Sequence, residues 1–402
     1  MGRGIGTDDA GSRFGFGRNW QRYLDRSFSP DRLEIARRHL LRFLGQETLA
    51  GLRVLDIGSG SGINSLAALE AGAAEVVSFD FDANAVAATR RLHETKGRPA
   101  AWSVRQGSIL DEAFCAGLGR FDLVYAWGVL HHTGDQWRAL TNAAGLMAPG
   151  GRLYVALYAR EAFIDPSPEQ WLEIKQRYNR ATAFGRGLME AGHVWRVLLE
   201  GRWSRLPQLP ALILGYRQNR GMALMTDVRD WLGGWPMEFS TLREVTGHAG
   251  RQLGLELVTL ATGEANSEYL FVARGTAAAL GHTVIPEAEL ALFDLRALAS
   301  LDPVPRDRPV FLFGTGRGAH LLKAEIARTP GLTLAGYLDI QRTEPLDGLP
   351  VHPVDGFVAD YPPETPVILS NRHVLENARP LLARGFTAVY NGHPLVQRLA
   401  RR

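Results

Sequence analysis

A short apolar run that leads into a glycine-rich loop constrains this chain more than any other stretch. Residues 54–62 read Val-Leu-Asp-Ile-Gly-Ser-Gly-Ser-Gly, with Asp56 near the end of the apolar run. Glycine tolerates positive φ and lets a ligand lie against bare backbone. The residues from Ile63 onward predict a helix, whose first N–H groups can bind a negatively charged group. The stretch therefore predicts a buried strand, a tight loop and a helix N-terminus.

The chain from residue 52 to residue 275 alternates predicted strands and helices. Strands alternating with helices at this spacing predict a mostly parallel sheet that is covered on both faces. Ligands of such sheets lie at the carboxyl ends of the strands. The predicted strands are 53–57, 75–79, 101–105, 121–127, 152–158, 255–261 and 269–274, the last two as an antiparallel pair, and the predicted helices are 63–71, 83–95, 135–147 and 240–254.

The pattern Asp-x-Gly-x-Gly-x-Gly after a strand resembles the first motif of the class I S-adenosylmethionine-dependent methyltransferases. The dinucleotide-binding fingerprint differs, because its last glycine lies one residue further along. The resemblance implies an α/β fold over residues 52–275, with a seven-stranded, Rossmann-like sheet that binds S-adenosylmethionine. The alternative is a plain glycine-rich turn between a strand and a helix.

The resemblance also implies a set of cofactor-binding residues at the strand ends. Asp80 ends the second predicted strand, where a carboxylate can accept hydrogen bonds from the ribose hydroxyls. Ser108 stands after the third strand, where the family often has an aspartate, and Ile109 is expected to pack on the purine. Asp82 is a second candidate acid. The implied set is Asp56, Gly58, Ser59, Gly60, Gly62, Asp80, Phe81, Ser108, Ile109 and Trp127.

Two adjacent histidines follow the fourth predicted strand, within residues 127–135. In the enzymes that this chain resembles, the corresponding loop borders the transferred methyl group. A histidine with a pKa near neutrality suits a general base that takes a proton from a hydroxyl or an amine. His132 is the preferred base and His131 the second choice. The alternative is that one histidine is structural and the other is merely solvated.

Residues 159–239 interrupt the alternation and carry aromatic and arginine residues on predicted helices. We expect this segment, called the lid below, to be a helical insertion that supplies most of the acceptor pocket. Its end, residues 227–238, combines acids, tryptophans and glycines, which suits either a shaped polar site or a tight turn packed by tryptophans. Residues 1–51 predict a tail at 1–13, then a helical segment that either docks on the sheet domain or caps the cofactor or substrate.

A second α/β pattern begins near residue 287, after a small, polar linker at 275–286. Gly314-Thr-Gly-Arg-Gly-Ala319 follows a predicted strand, and Asp339 ends the next one, which is an acceptable Gly/Ala variant of the nucleotide fingerprint. Residues 287–402 therefore predict a smaller C-terminal α/β Rossmann-like domain. It resembles domains of sugar-modifying proteins, and it either binds a nucleotide or has a purely structural role.

Composition narrows the classes of partner. The net charge of +3 is far below that of a nucleic-acid-binding surface. The single cysteine, Cys115, excludes an internal disulfide framework and fits a reducing compartment. Residues 1–13 are rich in glycine and charge without an apolar core, so we expect no signal peptide, and the sequence shows no run of roughly 18 apolar residues and no residue grouping with metal-ligand spacing. We therefore expect a cytoplasmic protein without a metal, nucleic-acid or membrane partner, and we leave its oligomeric state open.

These observations together predict a transferase that moves a methyl group from S-adenosylmethionine to a small polar acceptor. The preferred acceptor is a hydroxyl of a saccharide, a nucleotide-sugar or a related metabolite. The first alternative is a quinone-like or lipid acceptor. The second is a non-catalytic regulator that binds S-adenosylmethionine or a nucleotide, against which the acidic strand ends and the two histidines argue.

Overall fold

The computed structural model describes residues 15, 17–26, 28–163, 166–197, 199, 203–209, 213, 224–263, 265–287, 289–290, 297–371 and 373–400. The predicted tail at 1–13 lies outside these residues, as do the lid residues Tyr216, Arg217 and Arg220.

Seven strands form the larger sheet, in the order β3-β2-β1-β4-β5-β7-β6. All neighbours among the first five strands pair in parallel, whereas β7 runs antiparallel to both β5 and β6. This arrangement confirms the predicted sheet, including the antiparallel terminal pair. The strands are β1 (Arg53–Ile57), β2 (Glu75–Asp80), β3 (Trp102–Gln106), β4 (Phe121–Trp127), β5 (Met147–Tyr158), β6 (Leu255–Thr262) and β7 (Asn266–Ala273).

Helices cover both faces of this sheet. Val54 of β1 packs in the core beneath α2 and α3, whereas its neighbour Leu55 packs in the core beneath α6 and α10. Because adjacent strand residues point to opposite faces, both faces of the central strands are apolar. The helices of this part of the chain are α1 (Gly17–Arg26), α2 (Pro30–Leu44), α3 (Ile63–Glu70), α4 (Ala83–Thr95), α5 (Glu112–Ala116), α6 (Gln136–Gly145), α7 (Pro168–Arg180), α8 (Ala183–Val197), α9 (Leu224–Gly233) and α10 (Leu242–Gln252).

Two elements differ from the sequence-based expectation. Strand β5 begins at Met147, before the predicted start at residue 152, so it includes residues 149–151. Its pairing with β4 is irregular between Phe121 and Leu123, which lets β5 continue past the glycines. Helix α5 was not predicted, because its five residues are too few to show a helical period.

The lid contributes α7, α8 and α9 and has an apolar cluster of its own. Its two ends meet at the sheet, where Ala159 forms a bridge with Ser240. The lid is therefore an insertion after β5, as predicted. The buried members of its cluster are Trp171, Tyr178, Leu224, Val228, Leu232, Met237 and Phe239.

Among the described residues, no helix is both long enough and apolar enough to cross a membrane.

A second sheet lies in the C-terminal part, with five parallel strands in the order β10-β9-β8-β11-β12. This confirms the predicted second α/β unit. Its strands are β8 (Val310–Phe313), β9 (Leu334–Leu338), β10 (Val351–His352), β11 (Val367–Leu369) and β12 (Val389–Asn391). Its helices are α11 (Arg317–Arg328), α12 (Val354–Asp360), α13 (Val374–Leu382) and α14 (His393–Leu399).

The predicted linker at 275–286 does not run free between the two sheets. Ile285 is buried, and its N–H donates to the carbonyl of Leu257 in β6 at 2.9 Å. Leu375 of α13 packs in the core of the larger sheet. Ile285 therefore attaches this mostly small and polar segment to β6, the edge strand of the larger sheet.

Candidate active site

The loop between β1 and α3, residues 58–62, has the backbone that its glycines predict. Gly58, Gly60 and Gly62 have φ values of 71°, 56° and 80°. A Cβ atom on Gly58 would lie 2.5 Å from the side chain of Val129, which belongs to the loop after β4. Glycine is therefore required for two loops of the carboxyl edge to lie together.

Asp80 holds this glycine loop in place. Its carboxylate accepts the N–H of Gly60 at 3.0 Å and the N–H of Asp82 at 2.9 Å. Burial raises the pKa of Asp80 to about 6, although these hydrogen bonds act in the opposite direction. Asp82 has a different task, since it caps α4 and accepts the N–H of Gly17 at 2.8 Å. Asp80 is thus the better candidate for a ligand, and its predicted contact with ribose stays a prediction.

Asp56 of β1 precedes the loop and Ser59 belongs to it, and the side chains of both point into the protein. The hydroxyl of Ser65 in α3 donates to Asp56, and burial raises the pKa of that carboxyl to about 7. The hydroxyl of Ser59 pairs with that of Thr89 in α4 at 2.9 Å. Both side chains are buried, so they support the loop backbone from below.

Two large aromatic side chains are exposed at the same edge. Phe81 follows β2 and is 57% exposed, and Trp127 ends β4 and is 41% exposed. Exposed rings beside bare glycine backbone and a carboxylate suit a ligand with a flat base and a ribose. The residues present therefore fit the nucleoside part of S-adenosylmethionine. Ile109, by contrast, is buried in the core, so its expected packing on the purine is not supported, and the hydroxyl of Ser108 accepts the N–H of Leu110 at 3.2 Å.

Helix α1 lies over the glycine loop and reaches the lid. Trp20 is so close that a Cβ on Gly60 would meet its indole ring at 3.0 Å. The side chain of Asn19 donates to Asp230 of α9. Of the two expectations for this segment, docking and capping, the contacts fit a cap over the cofactor loop. The neighbouring aromatic residues Phe14 and Phe16 lie outside the described residues.

His131 is fixed inside the protein. It is 1% exposed, and its Nδ1 accepts the N–H of Tyr158 at 3.3 Å. Its Nε2 is buried and has no hydrogen-bond partner among the described residues. Burial keeps the pKa of His131 well below its usual value, so the ring is neutral. These features favour a structural role for His131.

His132 is held in one orientation by the end of the lid. Its Nδ1 lies 2.7 Å from the carbonyl oxygen of Pro236. Because a carbonyl only accepts, Nδ1 carries the proton and the lone pair is on Nε2. Burial, with a contribution from Lys175, lowers the pKa of His132 to about 3. The expectation that this histidine would keep a near-neutral pKa is therefore wrong, since burial disfavours its charged form.

The lid end braces the histidine loop through its backbone as well. The N–H of Glu238 donates to the carbonyl of His131 at 2.8 Å, and its carboxylate accepts the N–H of Gln136 at 3.0 Å. Burial raises the pKa of Glu238 to about 7. Residues 227–238 thus pack against the site, which fits the packed-turn alternative and also places the Glu238 carboxylate at the start of α6, next to the loop.

Sequence reasoning missed Lys175. This lysine of α7 is 1% exposed, and its Nζ donates to the carbonyl of Trp231. Burial lowers its pKa to about 7. Its charge lowers the pKa of both His131 and His132. A signal was present in the sequence, because Lys175 shares a helix face with Trp171 and Tyr178, which are buried.

Among the described residues, no group of His, Cys, Asp and Glu could hold a metal ion.

Comparison with known proteins agrees with this geometry. Residues 26–205 match the family model described as a methyltransferase domain. The ubiquinone biosynthesis O-methyltransferase of Rhizobium rhizogenes is 33% identical over 138 residues, which cover 33% of this chain and 54% of that protein. The O-methyltransferase rstn1 of Aspergillus nomiae is 27% identical over 152 residues, which cover 37% of this chain and 65% of that protein. The chain thus spans about half to two thirds of these relatives.

Among solved structures, the magnesium protoporphyrin IX methyltransferase of Synechocystis with bound S-adenosylmethionine is 13% identical, with a TM-score of 0.39. The matched part covers 68% of this chain and all of that protein, 100%. The seven-stranded sheet with its antiparallel β7 and the glycine loop at its carboxyl edge are the features expected of a class I methyltransferase domain. The chain accordingly contains an S-adenosylmethionine-dependent methyltransferase domain.

Proposed function

We propose that this protein transfers a methyl group from S-adenosylmethionine to a hydroxyl of a small polar acceptor, with a saccharide as the preferred class. The observation that carries the proposal is the position of a neutral, oriented imidazole, His132, in the loop next to Trp127 and the glycine loop. Such a group is unprotonated at neutral pH and can accept a hydroxyl proton, although its low pKa makes it a weaker base than an ordinary histidine. A regulator that catalyses no reaction would not need an oriented imidazole at this position. We also propose a cytoplasmic location, as expected from the sequence.

The residues that would hold the cofactor are the glycine backbone at 58–62, Asp80, Phe81 and Trp127. Bound S-adenosylmethionine supplies a methyl group that its sulfonium already activates. The protein then has to align the acceptor hydroxyl and remove its proton. His132 takes this proton at Nε2, while its Nδ1–H stays on Pro236 and stabilises the imidazolium that forms.

A quinone-like acceptor is the second candidate, and one observation favours it. The ring of His132 lies 5.5 Å from that of Tyr158, which belongs to an aromatic cluster with Trp231 and Phe239 at 5.9 and 6.0 Å. Such a cluster suits a flat, apolar ring. The name of the Rhizobium relative refers to ubiquinone biosynthesis.

The test is a methyl-transfer assay with isotopically labelled S-adenosylmethionine. Mono- and oligosaccharides, nucleotide-sugars, catechols and quinols are the acceptor panel, and mass spectrometry locates the added methyl group on the product. Transfer to a saccharide hydroxyl is the expected result. Transfer only to the phenolic compounds would favour the second candidate. Binding of S-adenosylhomocysteine without transfer to any member of the panel would contradict an enzymatic role.

Replacement of Asp80 by alanine is expected to weaken the binding of S-adenosylhomocysteine by at least roughly tenfold. The reason is that a hydrogen bond to a charged group is worth about 1.5–3 kcal/mol, and Asp80 also orders Gly60. Titration calorimetry measures the affinity. Asp111→Ala is the matched control, because Asp111 caps α5 away from the glycine loop. Equal affinity of the parent and Asp80→Ala would remove Asp80 from the site.

A further inference from the structure

A cavity of about 540 Å³ lies between the larger sheet and the C-terminal part. This volume is within the usual range of small-molecule sites. Helix α2, strands β6 and β7, and the start of α13 all contribute to its walls. The lining residues are His39, Arg42, Phe43, Thr259, Leu260, Ala261, Thr262, Gly263, Glu268, His373 and Glu376.

One wall of the cavity contains an unsatisfied polar atom. Glu376 accepts the N–H of Thr262 with Oε1 at 3.4 Å, and this contact joins the two parts of the chain. Its other oxygen, Oε2, is buried without a hydrogen-bond partner among the described residues. A buried carboxylate oxygen that lacks a donor costs free energy. A ligand with a hydroxyl or N–H group in the cavity would supply the donor.

The opposite wall connects the cavity to the carboxyl edge. Glu268 of β7 accepts hydrogen bonds from His39 at 2.9 Å and from the hydroxyl of Tyr154. Burial raises the pKa of Glu268, but the hydrogen bonds from His39, Tyr154 and Trp127 outweigh it and hold the pKa below its usual value. Trp127 ends β4 at the candidate active site. The cavity is therefore separated from that site by the Glu268 side chain and its partners.

The lining indicates the chemical class of the ligand. Arg42 provides a fixed positive charge, whereas Glu268 and Glu376 provide negative charges, so the cavity does not select an anion. A fully apolar ligand would leave Oε2 of Glu376 without a donor. A neutral molecule with several hydroxyls can donate to the carboxylates, accept from Arg42, and lie against the ring of Phe43.

We propose that this cavity binds a saccharide and forms the distal part of the acceptor site, so that the C-terminal part helps to select the acceptor. The inference rests on the proposed function, because it places the sugar next to the methyl-transfer edge. It gives helix α13 of the C-terminal part a role in acceptor binding, which the motifs of the methyltransferase domain do not indicate. The predicted nucleotide-type loop at 314–319 takes no part in it.

The experiment uses the full chain and the methyl glycosides of glucose, galactose, mannose and rhamnose as probes. Saturation-transfer difference NMR detects binding, and titration gives the dissociation constants. We expect at least one glycoside to bind. Glu376→Gln should weaken it roughly tenfold, since the amide cannot replace a charged acceptor, and Thr259→Trp should abolish binding by filling the cavity. Glu364→Gln is the matched control, because Glu364 is an exposed carboxylate of the same part of the chain.

Three outcomes overturn the inference: no glycoside binds, the cavity variants bind as the parent does, or glycylglycine competes with the glycosides as a preferred zwitterionic ligand. All variants are also titrated with S-adenosylhomocysteine, whose affinity should not change. Glycoside binding without any methyl transfer would contradict the proposed function and leave the cavity assignment intact. Methyl transfer to a saccharide with an unchanged KM in both cavity variants would contradict the cavity assignment alone.

Discussion

Replacement of His132 by alanine is expected to lower turnover by roughly 100-fold or more, the usual scale for a general base. The affinity for S-adenosylhomocysteine should barely change, because the hydrogen bond that orients His132 is made with the lid end at Pro236. Initial rates at saturating cofactor, together with calorimetry, measure the two effects. An alcohol is a weak nucleophile, so its proton must leave as the new bond forms.

Two further variants control this experiment. His131→Ala should reduce turnover less, since the His131 ring is buried and its Nδ1 is bound to the backbone of Tyr158. His320→Ala changes an exposed histidine of α11 and should have no effect. If His132→Ala and the double variant of His131 and His132 both turn over at the parent rate, the loop contains no base. Asp227 and Glu238 would then be the next residues to test.

The pH dependence separates His132 from an ordinary histidine base. Because burial lowers its pKa to about 3, the imidazole is neutral and able to accept a proton throughout the neutral range. Turnover at saturating cofactor should therefore show no decline near pH 6.5 that is due to His132. Asp80, whose pKa is raised to about 6, loses its charge as the pH falls through that value. The KM for S-adenosylmethionine should accordingly rise below about pH 6.

The sheet could be predicted from the sequence because its signals are local. Each central strand is a short apolar run, and a glycine or an aspartate stands at the ends of the first strands, such as Gly58, whose φ is positive, and Asp80. Helix α4 has the predicted bounds, and Asp82 caps it. The start of β5 was predicted too late, at residue 152. The reason is that Pro149-Gly150-Gly151 indicates a turn unless the pairing with β4 is known.

The site was only partly predictable, because several of its contacts join distant segments. The bond between Asn19 and Asp230 links residues that are far apart in sequence, and so does the Glu268 hydrogen bond from His39. No pattern in the sequence predicts such pairs. The pKa values of His132 and Lys175 were likewise beyond sequence reasoning, since they depend on burial by the lid.

Lys175→Met is expected to change how the stability of the protein depends on pH. The pKa of Lys175 falls from 10.5 to about 7 in the folded state, chiefly through burial. Between these values the unfolded chain binds more protons than the folded chain does, so the stability of the parent rises with pH. From about pH 7 to about pH 9.5, this gain should be roughly 3 kcal/mol, and methionine removes it because it does not titrate.

Urea unfolding followed by tryptophan fluorescence measures this difference at both pH values. Lys323→Met is the control, because Lys323 is paired with Asp347 on the surface of the C-terminal part and should leave the pH dependence unchanged. The Lys175→Met variant should also raise the pKa of His132, since a positive charge near that imidazole is lost. A parent protein whose stability does not rise above pH 7, or a variant that retains the rise, would show that Lys175 stays charged in the fold. Its charge would then need a stronger partner than the Trp231 carbonyl, and Asp230, which favours the charged form, is the residue that could supply it.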